Sequence, residues 1–257
     1  MLSLRRAICE PQEGGTRIPG TSPGAPHDKG DPTGRRPAVP AVVWRTVIAY
    51  LHGFASGPSS RKARHLSEGF RARGVEVAVP DLTPGPDGFE RSTPLTMLAV
   101  ARATLGERPG PHLLIGSSLG GYLSALLASR DPRVARLVLL APAFRLFERW
   151  SARLTGAQLD EWRERGLSTH HFATGTERRI GWAFHEAAAG LPAFPVVTAP
   201  TLVIAGGRDE TVPLEDVRAW VERTPSARLV VVDDGHELAA SLDLILDEAW
   251  AFSRPAP

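Results

Sequence analysis

Six short apolar runs constrain the fold of this chain more than any other feature: Thr46–Leu51, Val75–Val79, His112–Ile115, Arg136–Leu140, Thr201–Ala205 and Arg228–Val232. They are built mostly of apolar and β-branched residues and do not alternate apolar with polar. A strand that tolerates apolar residues on both sides is covered on both faces, which is the condition of a parallel sheet. Between the runs lie stretches with helical character. Ser60–Arg73 opens on a serine suited to capping, and Pro94–Leu105 has Thr93 as its cap and proline at the first helical position. Leu119–Ser129, Pro213–Arg223 and Leu238–Phe252 complete the set. Strands alternating with helices predict βαβ units, and hence an α/β fold with a doubly wound, mostly parallel sheet.

The alternation lapses between Pro142 and Pro200. Helix-like pieces (Gly156–Arg165, Arg178–Ala189) and many aromatics occupy that interval, but no buried strand is evident in it. The expected organisation is a sheet core over 41–142 and 196–254, with a helical cap over 143–195. Residues 1–40 hold six glycines and seven prolines without apolar periodicity. Such a segment buries too little surface to offset its ordering entropy, so it reads as a disordered tail.

Charge excludes several function classes. The net formal charge is +2, but residues 1–45 carry seven Lys/Arg against four Asp/Glu, leaving 23 against 24 in the remainder. A near-neutral body gives no footprint for nucleic acid or an anionic membrane. No apolar run approaches the roughly 20 residues of a spanning helix. One cysteine, Cys9, allows neither an internal disulfide nor a thiolate metal site. The two N-terminal arginines are not followed by an apolar stretch, so no secretory signal is expected and the default compartment is the cytoplasm. No metal-binding or nucleotide-binding spacing is present, and no metal or cofactor is expected.

The chemistry-bearing residues sit where predicted strands end. Gly116-Ser117-Ser118-Leu119-Gly120-Gly121 fits G-x-S-x-G, with a buried strand entering and a Leu/Ala-rich helix leaving. A turn that sharp leaves room only for small flanking residues, and it lifts the Ser118 hydroxyl clear of the sheet. The following helix aims its positive end and the Leu119 N–H at an oxyanion developing there. Ser117 is read as structural. Asp209 follows the strand Thr201–Ala205, where a carboxylate can orient a base; its neighbour Glu210 is assigned to starting the next helix. His236 follows Gly235 on the loop after the last strand and can reach back over Ser118. Asp233 and Asp234 lie too near His236 in sequence to approach its Nδ1, so they are read as loop and helix-start residues. His52 is read as a brace beneath its loop, and His170-His171 as a surface pair of the cap.

These motifs resemble the α/β-hydrolase superfamily. The loop from His52-Gly53-Phe54 to Ser60-Arg61-Lys62, together with Gly116–Gly121 and Asp234-Gly235-His236-Glu237-Leu238, is similar to small bacterial esterase-like members. The resemblance spans residues 46–252, about four-fifths of the chain. It implies a nucleophile–acid–base set of Ser118, Asp209 and His236 in that chain order, with Phe54 and Leu119 N–H groups as oxyanion donors. The implied reaction is hydrolysis of a small-molecule acyl ester through an acyl-enzyme, without a cofactor. A thioesterase or acyltransferase would use the same residues, and a non-catalytic binding protein could share the fold. Trp150, Trp182 and Phe184 are the expected acyl-pocket residues of the cap. The antiparallel strands that usually open this fold are missing, with only Val39–Trp44 left to stand for them.

Overall fold

In the computed structural model, residues 46–254 are described. The tail 1–40 and the Val39–Trp44 remnant lie outside them. In chain order the elements are β1 (Ile48–Leu51), α1 (Arg61–Ala72), α2 (Gly88–Arg91), α3 (Pro94–Leu105), β2 (His112–Ser117), α4 (Leu119–Ala128), β3 (Val134–Leu140) and α5 (Leu146–Arg153). Then come α6 (Gly156–Arg165), β4 (Leu167–His171), β5 (Thr176–Ile180), α7 (Trp182–Ala189), β6 (Thr201–Gly206), α8 (Leu214–Glu222), β7 (Ala227–Val232) and α9 (Leu242–Ser253).

Five strands form one parallel sheet in the order β1-β2-β3-β6-β7. Side-chain alternation divides the core between its two faces. Ile48, Tyr50, Leu113, Ile115, Val138, Leu140, Leu202 and Ile204 pack with Ala63, Leu66 and Phe70 of α1 and Ile245 and Ala249 of α9. Ala49, Leu51, Leu114, Leu137, Leu139, Val203 and Ala205 pack on the other face with α3, α4 and α8. Burial on both faces explains why these strands read as continuous apolar runs. The local caps are also as expected: the Ser60 hydroxyl accepts from Ala63 N, and Thr93 and Thr96 cap each other reciprocally.

Three expectations need correction. Val75–Val79 forms no full strand. It touches the sheet through one bridge beyond β1, in which Ala78 N donates to Ile48 O and Tyr50 N to Ala78 O, each at 2.8 Å. It has one neighbour only four residues long, and Pro80 ends it without an N–H to give. Arg228–Val232 is an edge rather than a buried strand; only Val232 of β7 is buried, while Val231 is 42% exposed. Finally, the interval read as helical holds an antiparallel hairpin, β4–β5, detached from the main sheet. Arg178–Ile180 belongs to its second strand, and the helix starts only at Trp182.

The hairpin also relocates the histidine pair. Successive strand residues face opposite ways, so His170 is only half-buried while His171 is buried with its ring on Phe89, centroids 4.8 Å apart. The hairpin is tied to the body by Phe172 N donating to Ala55 O (2.7 Å), Gly181 N donating to Glu90 O (2.9 Å) and the Arg178–Glu90 ion pair (2.5 Å).

Candidate active site

The strands β1, β2, β6 and β7 run parallel, so their carboxyl ends open on one edge of the sheet, where such folds place their ligands. Four connections meet there: after β1 (His52–Phe54), between β2 and α4 (Ser118), after β6 (Asp209) and after β7 (His236). Ser118 sits at φ 54° and ψ −118°, a conformation L-residues avoid. The strain is held by three main-chain bonds: Ser118 N to Leu140 O at 2.9 Å, and Ala143 N and Tyr122 N to Ser118 O at 3.0 and 3.1 Å. The two flanking glycines are sterically required. A Cβ on Gly120 would stand 2.1 Å from Leu51 O, and one on Gly116 would stand 2.3 Å from Gly120 O. The turn is therefore pressed against β1 and its own helix at once, which accounts for the spacing of glycines about Ser118.

The three residues selected from sequence come together. His236 Nε2 lies 3.0 Å from Ser118 Oγ, and His236 Nδ1 lies 2.8 Å from Asp209 Oδ2. The Asp209 side chain is 2% exposed and that of His236 15%. Asp209 Oδ1 accepts from Thr211 N and Val212 N, both at 2.8 Å, which leaves Oδ2 aimed at the imidazole. Glu210 is exposed and precedes α8, whose first-turn acids are Glu215 and Asp216, so it does not start that helix. Asp234 braces its own loop, accepting from Gly235 N on Oδ1 and from Ala240 N and Ser241 Oγ on Oδ2. Asp233 pairs with Arg208 at 2.8 Å, linking the acid loop to the histidine loop.

His52 is 2% exposed and is a brace. Its Nε2 lies 3.1 Å from Leu82 N and its Nδ1 3.0 Å from Gly53 O. The ring thus pins the loop that carries Gly53 and Phe54 beside Ser118. Phe54 heads an aromatic cluster, with ring centroids 5.4 Å from Phe89, 5.1 Å from Trp150 and 5.6 Å from Phe184. Trp150 and Phe184 are therefore brought to the loop that borders the serine. Trp182 is not: its ring neighbours are Trp162, His185 and the Arg163 guanidinium. Among the described residues, no group of three or more His, Cys, Asp or Glu side chains is arranged to hold a metal ion. No described helix is long and apolar enough to cross a membrane. A 490 Å³ cleft lies away from the triad, between α1 and the start of α9, and is lined among others by Arg61, Arg64, His65 and Asp243.

The parallel sheet, its elbow serine and the acid and histidine on later loops define an α/β-hydrolase fold. The chain belongs to the uncharacterised protein family UPF0227, whose profile matches residues 47–240. Solved structures with the same fold include alpha/beta hydrolase domain-containing protein 10 from mouse, 23% identical, with 79% of this chain and 88% of that one covered at a TM-score of 0.67. Est1E from Butyrivibrio proteoclasticus is 21% identical, with 81% and 86% covered at a TM-score of 0.64. A protein of the alpha/beta superfamily from Xanthomonas campestris pv. campestris is 28% identical, with 79% and 94% covered at a TM-score of 0.52.

Proposed function

We propose that this chain is a serine hydrolase that cleaves carboxylic esters of small to medium acyl groups through an acyl-enzyme. The observation that carries the reading is the unbroken relay from Ser118 Oγ through both His236 nitrogens to Asp209 Oδ2. In that geometry His236 takes the Ser118 proton through Nε2 as Oγ attacks the ester carbonyl. Asp209 holds the tautomer with its proton on Nδ1 and stabilises the imidazolium. The carbonyl oxygen becomes an oxyanion held by the Leu119 and Phe54 N–H groups, each worth about 3 kcal/mol in such sites. The intermediate collapses, the C–O bond breaks, and the alcohol leaves with the proton from His236. Water, deprotonated by the same imidazole, then frees the acid and restores Ser118.

Segment 143–195 acts as a cap in this reading, with Trp150 and Phe184 beside Phe54 as the acyl wall. Trp182 joins them only through Trp162, so its influence on the acyl group is the weakest of the three. Proteins of this fold support the ester assignment by analogy: Est1E has been solved with ferulic acid bound, and LipS and LipT are described as lipolytic enzymes. The test is a panel of acyl esters and thioesters of graded length, with fluorophosphonate labelling of wild type and Ser118→Ala. Ester turnover and labelling that both vanish in Ser118→Ala are expected. Labelling that persists in the variant would overturn the nucleophile, and turnover confined to thioesters would overturn the substrate class.

A further inference from the structure

One buried cation touches the histidine loop and takes no part in the reaction above. Lys62 occupies the first turn of α1 and is 8% exposed. A lysine ammonium removed from water at that depth must recover its hydration from fixed acceptors. Its Nζ donates to the main-chain oxygen of Glu237 at 2.8 Å and to Glu237 Oε2 at 2.9 Å. Glu237 is the residue after His236, and 175 positions separate it from Lys62. Its side chain is 69% exposed, so its carboxylate is well solvated and the carbonyl bond is the better-shielded anchor.

Helix α1 can serve as a fixed post. Ser60 caps its start, and Ala63, Leu66 and Phe70 bury its inner face against the sheet and α9. The histidine loop, in contrast, has no regular structure between β7 and α9. Asp234 braces that loop internally, and Arg208 ties Asp233 to the acid loop. Lys62 adds a tie from α1, next to His236 itself.

We infer that Lys62 is a positioning residue, which fixes His236 over Ser118 by holding the Glu237 carbonyl. The inference rests on the hydrolase reading for its catalytic consequence but not for its geometry. The groups hydrogen-bonded to the His236 ring are the Ser118 hydroxyl of the elbow and the Asp209 carboxylate of the β6–α8 loop. Lys62 acts on that ring through the main chain of Glu237, the next residue.

The experiment compares Lys62→Met, Lys62→Arg and Glu237→Gln with wild type. It follows kcat and KM on a short activated ester, and the chemical shifts of the His236 ring by NMR at one fixed pH. Lys62→Met should lower kcat about a hundredfold, the scale of an ångström misplacement of a catalytic group, with KM little changed, and should move the His236 ring resonances. Lys62→Arg should recover most of kcat and the wild-type resonances. Glu237→Gln keeps the carbonyl anchor, so it should lose little kcat. If Lys62→Met does not fold, Lys62→Gln, which keeps a neutral donor, is read in its place: it should show the same change in the ring resonances with a smaller loss of kcat. Wild-type kcat with unmoved His236 resonances in the cation-free variant would overturn the inference. So would a loss confined to KM or melting temperature. Fluorophosphonate labelling of wild-type Ser118 tests the hydrolase reading separately, because the His236 resonances report on Lys62 whether or not an ester turns over.

Discussion

Asp209 and Asp234 stand on neighbouring loops, and their hydrogen bonds separate their duties. Asp209 spends one oxygen on two loop N–H groups and the other on His236, so its charge is directed at the base. Asp234 spends both oxygens on its own loop and none on the imidazole. Asp209→Asn should therefore lower kcat about 10⁴-fold with the fold intact, because an amide in that place favours the wrong imidazole tautomer. Asp234→Asn should instead lower the melting temperature, at about 1–3 kcal/mol for a buried loop donor left without its acceptor, with a smaller effect on kcat. Steady-state kinetics and thermal melts on the pair decide the matter. The reverse pattern, with Asp234→Asn catalytically dead and Asp209→Asn active, would reassign the acid. These residues were legible in the sequence because each stands at the end of an apolar run, so strand position and chemistry coincide within a few residues. Lys62 had no such signal, since its partner lies on the opposite side of the chain order and only the fold brings them together.

Among the elements, β1, β2, β3 and β6 were readable for the same reason that they are stable: both their faces are covered. The hairpin β4–β5 was not. Leu167-Ser168-Thr169-His170-His171 and Thr176-Glu177-Arg178-Arg179-Ile180 carry few β-branched apolar residues, and Arg178–Ile180 runs straight into a helix. Gly175, at φ 68° in the connecting turn, was the available cue. Burial likewise separates the candidate acyl-wall residues. Phe184 is fully buried among Phe54, Phe147 and Trp150, whereas Trp150 is only half-buried. Phe184→Ala should cost about 3–5 kcal/mol, the range for core aromatic truncations, and should register mainly as a lower melting temperature. Trp150→Ala should cost less stability and should extend the preferred acyl length by opening space beside Phe54. Trp182→Ala should leave the length preference where it is. A shift in preference with Trp182→Ala and none with Trp150→Ala would place the acyl group elsewhere in the cap.

At the scale of the whole molecule, two buried histidines, one in the sheet and one in the hairpin, predict sensitivity to acid. His112 begins β2, accepts from Val47 N on Nδ1 at 3.1 Å and has Nε2 at 3.1 Å from Arg108 O, an arrangement that requires a neutral ring. His171 ends β4, with its ring on Phe89 and its Nδ1 3.0 Å from Thr174 Oγ1. Burial holds both imidazoles below their ordinary value of 6.5. The sign follows from linkage. As pH falls below 6.5 the unfolded chain takes up protons that the folded chain still refuses, so the unfolded state is favoured. The stability due to these rings is complete above 6.5 and is lost progressively as pH falls through their depressed folded values. Melting temperature should accordingly decline from neutral pH into the mildly acid range, before most carboxylates titrate. His171→Phe keeps the ring contact with Phe89 but removes the proton site, so it should flatten part of that decline, and His112→Gln should flatten a further part at some cost to stability at neutral pH. Melts of wild type and both variants across this range check the assignment. A wild-type slope preserved in both variants would locate the acid sensitivity in the carboxylate pairs instead, such as Glu90, whose carboxyl the Arg178 guanidinium holds below its ordinary range and which ties α2 to the hairpin.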